Sequence, residues 1–210
     1  ALSKMIPGVT ISRSLKGQLI PICVYIVMAV SLNLTVGISG ELSLGHAGFM
    51  SVGAFVGVIT AATLELPVAD PTLRLIFAMI VGGIGAGIMG VIVGVPVLRL
   101  QGDYLAIVTL AFGEIIRNVI NCLYVSLDDV GLHLSFNDPN IPGTLLLNGP
   151  QGAQGITKLA TFGMGFALIL FTLLVVLNLI NSRGGRAMMA LRDNRIAAES
   201  VGISVTKYKL

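Results

Sequence analysis

The chain has 210 residues, of which 55% are hydrophobic and only 11% charged, where a soluble domain is about a quarter charged. That much apolar surface exceeds what one water-facing globule can bury, so the composition points to an integral membrane protein, an all-α polytopic helix bundle. A net charge of +3 with no basic stripe of interleaved aromatics excludes a nucleic-acid surface.

A span needs about 20 apolar residues at 1.5 Å rise each, and five runs qualify: residues 19–36, 42–64, 73–98, 104–124 and 156–180. The chain starts at Ala1 without a charged n-region ahead of a cleavage site, so no signal peptide is expected and a fragment or processed product is. Cys23 and Cys122 lie in apolar segments away from any CxxC spacing, and are expected to be buried thiols. His46 and His133 are far apart and belong to no HExxH pattern, which argues against a metal.

Between the first two spans, "SLNLTVGISGELSLGHAGFMSVGAF" breaks an apolar run with glycines, Glu41 and His46. Freed backbone groups survive in a bilayer only when covered by protein or facing a wet cavity, and transporters use such breaks to hold solutes. Ser43 is positioned to cap the helix that restarts. Glu41 fits a short cytoplasmic turn, whereas Ser43, Gly45, His46 and Phe49 are candidates for a translocation pathway. In the second and third spans, Gly53-xxx-Gly57, Gly83-xxx-Gly87 and Gly90-xxx-Gly94 offer close helix approaches. Gly85 to Gly90 matches GxGxxG, but no strand precedes it and the run is apolar, so a nucleotide site is rejected. No Walker A pattern occurs either, and uphill transport would need ATP hydrolysis on another subunit.

In the fourth span, Glu114, Arg117, Asn118 and Asn121 share one helical face. Charges within a span pair with each other or face water. The face is either a stretch of solute path near the outer mouth or an interhelical hydrogen-bond network. Residues 125–155, rich in Asp, Asn, Pro and Gly, are expected to be an outer loop. After the fifth span, a helix from about Arg186 to Val201 puts Ala187, Leu191 and Ala198 on one face and Arg192, Arg195 and Glu199 on another, with Gly202 as its stop. The small-residue face favours docking into a partner's groove over lying on lipid.

Lys and Arg placement makes residues 181–210 cytoplasmic, with Arg183, Arg186, Arg192, Arg195, Lys207 and Lys209. It then alternates consistently through the internal loops, 125–155 and 65–72 outside and 99–103 inside. The amino terminus falls outside, against Lys4, Arg13 and Lys16, which a span ahead of this chain, or a re-entrant segment, would resolve.

Three stretches, "GELSLGHAGFMSVGAF", "LRLQGDYLAIVTLAFGEIIRNVIN" and "GRAMMALRDNRIAAESVGISVTKYKL", together resemble the membrane permease subunits of bacterial branched-chain amino acid ABC importers, of the LivM type. The resemblance implies a front half of such a permease, preceded by a first helix and followed by further spans. It also implies two ATP-binding cassette subunits, a second homologous permease, an extracytoplasmic solute-binding protein and a bacterial inner (plasma) membrane, with no cofactor on this subunit and ATP used by its partners. The segment carrying Arg186, Leu191, Arg192, Arg195, Ala198, Glu199 and Gly202 resembles the family's ATPase-coupling loop, although the acidic residue here follows the alanines. Against an importer stand an ion-coupled secondary transporter, for which Glu114 is the strongest carboxylate, and a channel-like membrane protein. An intramembrane enzyme lacks any nucleophile–base or metal constellation.

Overall fold

The computed structural model describes residues 13–64, 70–97, 100, 103–128, 131–136, 143–153, 159–205 and 208. The chain divides into two compact units, the described residues of Ala1–Gly40 with Ala160–Ala198, and those of Glu41–Leu159 with Glu199–Leu210.

In the first unit, α1 (Arg13–Asn33) packs beside α5 (Phe162–Asn181). Gly165 allows their approach, since a Cβ there would lie 3.0 Å from the Cβ of buried Cys23. The expected fifth span begins later than its apolar composition suggests, because Thr161 is extended and α5 starts only at Phe162. Ser182 is extended and ends α5. Its hydroxyl accepts from the Gly185 N–H at 3.1 Å and donates to the Leu179 carbonyl at 2.6 Å, starting α6 (Arg183–Asp193). A side chain at Gly185 would overlap the carbonyls of Leu179 and Ile180, so this tight corner admits only glycine.

The single helix expected from Arg186 to Val201 is two helices. Asn194 is extended, and its Oδ1 accepts from the Ala197 N–H at 3.1 Å, capping α7 (Arg195–Ser200). Asparagine's short side chain competes for local backbone donors, which favours a cap over a helix interior. Gly202 ends α7 with φ +87°, as expected.

In the second unit, α2 (His46–Thr63) packs on α3 (Pro71–Val97) and on α4 (Asp103–Asn121). Gly53 and Gly57 meet an Ala78-xxx-Gly82-xxx-Ala86 row on α3. A Cβ on Gly82 would sit 2.5 Å from the Gly53 carbonyl oxygen, and one on Gly57 3.2 Å from that of Ala78. Backbone contact at this range is how small residues join helices without a hydrophobic drive. By contrast Gly83, Gly87 and Gly90, expected to pack likewise, face open space within the chain. Val93, Val97 and Leu105 form a buried cluster with Phe49, Val108 and Phe112 packed against it.

The expected outer loop is largely a sheet. Strands β1 (Leu123–Asp128), β2 (Gly131–Phe136) and β3 (Thr144–Asn148) are antiparallel in the order β2-β1-β3. Leu123 is opposite Phe136, and Val125 opposite Leu147, with a bulge between Val125 and Ser126. The strands are five or six residues long, and their apolar alternation is diluted by the turn-forming residues between them. For the same reason the fourth span stops at Asn121, and Leu123 and Tyr124 enter β1. Cys122 in that junction is exposed, against expectation, while Cys23 is buried.

The fold is thus mostly helical, with the sheet a minor part. Among the described residues, five helices are long and apolar enough to cross a membrane. They turn Ile84, Ile92, Ile107, Phe171 and Leu174 outward. In water that surface would drive aggregation. In hydrocarbon it is solvated and the helices satisfy most of their backbone groups internally, so the molecule is a multi-pass membrane protein.

Candidate functional site

The break in the first span opens with a π-helical turn, Leu34–Ile38, closed by the Ser39 N–H donating to the Leu34 carbonyl at 3.1 Å. Gly40 follows in the left-handed region at φ +70°. The carbonyls left over at this helix end carry the negative end of its dipole. Arg192 of α6 answers them, its Nη1 donating to the Gly37 carbonyl at 2.7 Å, while Nε donates to Asp193 Oδ1 at 3.2 Å. The aliphatic stem of Arg192 lies on Gly40, where any side chain would overlap its Cγ. Glycine is therefore required twice at position 40, by backbone conformation and by the arginine.

At the restart, Gly45 occupies the N-cap position of α2 and no side chain caps it. The expected Ser43 cap is absent. A threonine from a different helix instead holds the residue just before the N-cap: Thr109 Oγ1, buried on α4, accepts from the Leu44 N–H at 3.1 Å and donates to the Ala106 carbonyl at 2.9 Å. Gly45 must be small because a Cβ would stand 2.6 Å from the Thr109 carbonyl oxygen. Gly48 similarly lies against Gly113, whose Cα its Cβ would approach to 3.1 Å. These two approaches press α2 onto α4.

One consequence is an open-sided cleft of about 480 Å³, lined on the α2 side by Leu44, Ala47, Ser51 and Phe55. Its α4 side carries Leu110, Glu114, Arg117, Ile120 and Asn121, and Gly149, Pro150 and Gly152 close one end. Glu114 and Arg117 pair as expected, Nη1 to Oε2, at a long 3.5 Å. Gly149 fits under the end of α4 only without a side chain, since a Cβ would be 2.6 Å from the Asn121 carbonyl oxygen. Of the residues expected on a pathway, Glu114 and Arg117 line this cleft. Ser43, Gly45 and His46 do not, and Phe49 packs against the Val93–Leu105 cluster. Thr109 and the Gly149–Gly152 segment were not legible as site residues, because both act through partners distant in sequence.

Toward the carboxy end, Ala187, Leu191 and Ala198 are all buried, with Leu191 only 3% exposed. The face expected to dock on a partner is therefore turned in within the chain. What remains outward includes Arg186, Arg192, Glu199 and the bare apolar side chain of Ile196, 82% exposed. Arg195 is half-buried. Arg186 donates from Nη1 to the Asn181 carbonyl at 3.0 Å, which reinforces the corner between α5 and α6.

A family model described as "Branched-chain amino acid transport system / permease component" matches residues 15–210. The high-affinity branched-chain amino acid transport system permease protein LivM of Salmonella typhimurium is 32% identical over 221 residues, covering 89% of this chain and 46% of that protein. Its Escherichia coli counterpart matches with the same identity and coverage. A probable branched-chain amino acid transport permease protein LivM of Methanocaldococcus jannaschii is 24% identical over 212 residues, covering 89% of this chain and 59% of that protein. The chain spans about half the length of the first two relatives. No solved structure matches it.

Proposed function

The chain belongs to the permease family of branched-chain amino acid transport systems, and from that premise we propose that it serves as a membrane-spanning permease subunit of an ATP-driven importer. Its solutes are leucine, isoleucine and valine or similar small amino acids, and its setting is a bacterial plasma membrane. ATP is bound and hydrolysed by separate cassette subunits, a second homologous permease completes the pathway, and an extracytoplasmic binding protein delivers the solute. On this reading the subunit itself needs no catalytic residue and no cofactor.

The observation that supports this reading most is the bond from Arg192 to the Gly37 carbonyl. A permease without an engine needs a rigid link from the segment that meets the ATPase to an element lining the path. The α6 helix holds the broken end of the first span by a charge-assisted bond, stronger than a neutral one. In the mechanism, closure of the ATPase pair moves α6 and α7, Arg192 carries that motion to the break, and the spans exchange outward and inward openings. Ile196, rather than the buried Leu191, is the side chain offered to the ATPase.

Co-purification of the full-length permease with its ATPase subunit tests this. Ile196→Arg should strip the ATPase from a permease that still folds, and uptake of leucine into proteoliposomes should require ATP. Retention of the ATPase by Ile196→Arg removes the docking assignment. Uptake that persists without ATP and collapses with the ion gradient replaces the importer with a secondary transporter.

A further inference from the structure

We propose that the cleft between α2 and α4 is an intramembrane binding site for a zwitterionic α-amino acid with an aliphatic side chain, its ammonium group on Glu114 and its carboxylate on Arg117. The inference rests on the permease reading above and adds to it a place where the solute pauses and the groups that read it.

The site joins two features that are separately unremarkable. Leu44, Ala47, Phe55, Leu110 and Ile120 give it apolar walls, and Glu114, Arg117 and Asn121 give it a polar strip along one of them. A pocket of a few hundred Å³ with mainly apolar lining and a few convergent polar groups is the usual form of a small-molecule site. The volume of about 480 Å³ is ample for a single amino acid.

The charged pair is incompletely used. One contact at 3.5 Å joins Arg117 Nη1 to Glu114 Oε2, beyond the distance of a good charge-assisted bond. Among the described residues, the rest of the guanidinium fork and the second carboxylate oxygen are left for a ligand. An α-amino acid presents an ammonium and a carboxylate on one carbon. Inserted beside the pair, it replaces one long contact by two short ones, and the fork engages the carboxylate bidentately. Both partners of the pair remain neutralised throughout, so the solute is accepted without leaving a lone charge in the membrane. Its aliphatic side chain then falls against Leu44, Phe55 and the α4 leucine and isoleucine. An acidic or basic side chain would have to desolvate a third charge against those walls, which the site disfavours.

The test uses the full-length permease with its partner permease and ATPase subunits in nanodiscs, without the binding protein, so that selectivity upstream cannot contribute. Tritiated leucine binding is competed by leucine, by leucinamide, which lacks the carboxylate, by 4-methylpentanoate, which lacks the ammonium, and by lysine. Leucine should compete at least about tenfold better than each of the other three. Glu114→Gln and Arg117→Gln should each weaken leucine about tenfold or more. Arg117→Gln should abolish the preference over leucinamide, and Glu114→Gln the preference over 4-methylpentanoate. Equal competition by the analogues in the unmutated complex overturns the site, and that measurement does not depend on a variant folding. So does unchanged leucine affinity in both variants, or no leucine binding to the unmutated complex. ATP-driven leucine uptake with the binding protein present separates the two levels: uptake intact while the pair proves irrelevant removes only this site, and absent uptake removes the permease reading with it.

Discussion

Replacing Gly40 by alanine should open the break between the first two spans, and the size of the effect follows from two local terms. A non-glycine residue at φ +70° costs about 1–2 kcal/mol. The new Cβ also overlaps Arg192 Cγ, so the arginine must leave and give up its 2.7 Å bond to the Gly37 carbonyl. A hydrogen bond to a charged group contributes about 1.5–3 kcal/mol, but the Arg192 side chain is 44% exposed, which screens it to about 1 kcal/mol. Together the substitution favours the open break by about 2–3 kcal/mol, or roughly 30- to 160-fold. Ser39 is only 7% exposed, so a Ser39→Cys thiol, with exposed Cys122 changed to serine, reports opening through its rate of alkylation. Adding Gly40→Ala should raise that rate by the factor above. Arg192→Ala alone should raise it about fivefold, the equivalent of about 1 kcal/mol. Because part of the Gly40→Ala effect acts through the arginine, the double substitution should fall short of the product of the two. Labelling within about twofold of the parent in Gly40→Ala, or strict multiplication in the double variant, would refute the coupling.

Two further outcomes follow from the helix crossings. Gly82→Ala places a Cβ 2.5 Å from the Gly53 carbonyl oxygen. It should destabilise the detergent-solubilised permease by about 1–3 kcal/mol through overpacking, seen as a lower Tm, whereas Gly87→Ala, which meets no atom within 4 Å, should leave Tm unchanged or slightly raised. Thr109→Val keeps the shape of a buried side chain but removes the acceptor of the Leu44 N–H. The lost bond is worth about 1 kcal/mol net, so the Leu44 amide should exchange hydrogen faster by about fivefold, and unaltered exchange would show that Thr109 does not hold the restart of α2.

The five spans, the break ahead of His46 and the paired charges on α4 were readable from the chain because hydropathy and helical periodicity are local properties that each segment carries alone. The stop at Gly202 and the Gly53–Gly57 row belong with them. Which glycines pack was decided elsewhere: Gly83 and Gly87 have the same spacing as Gly53 and Gly57, yet only the latter have Ala78 and Gly82 facing them. The sheet was hidden for a related reason, since Leu123 and Val125 become strand residues only by pairing with Phe136 and Leu147, and five- or six-residue strands hold no signal against the turns around them. Thr109 accepting from the Leu44 N–H across 65 positions, and Arg192 reaching Gly37 across 155, could emerge only from folding. A buried or membrane-embedded backbone group must find a partner somewhere, but nothing in the neighbouring residues says where, and that choice belongs to the packing of the helices.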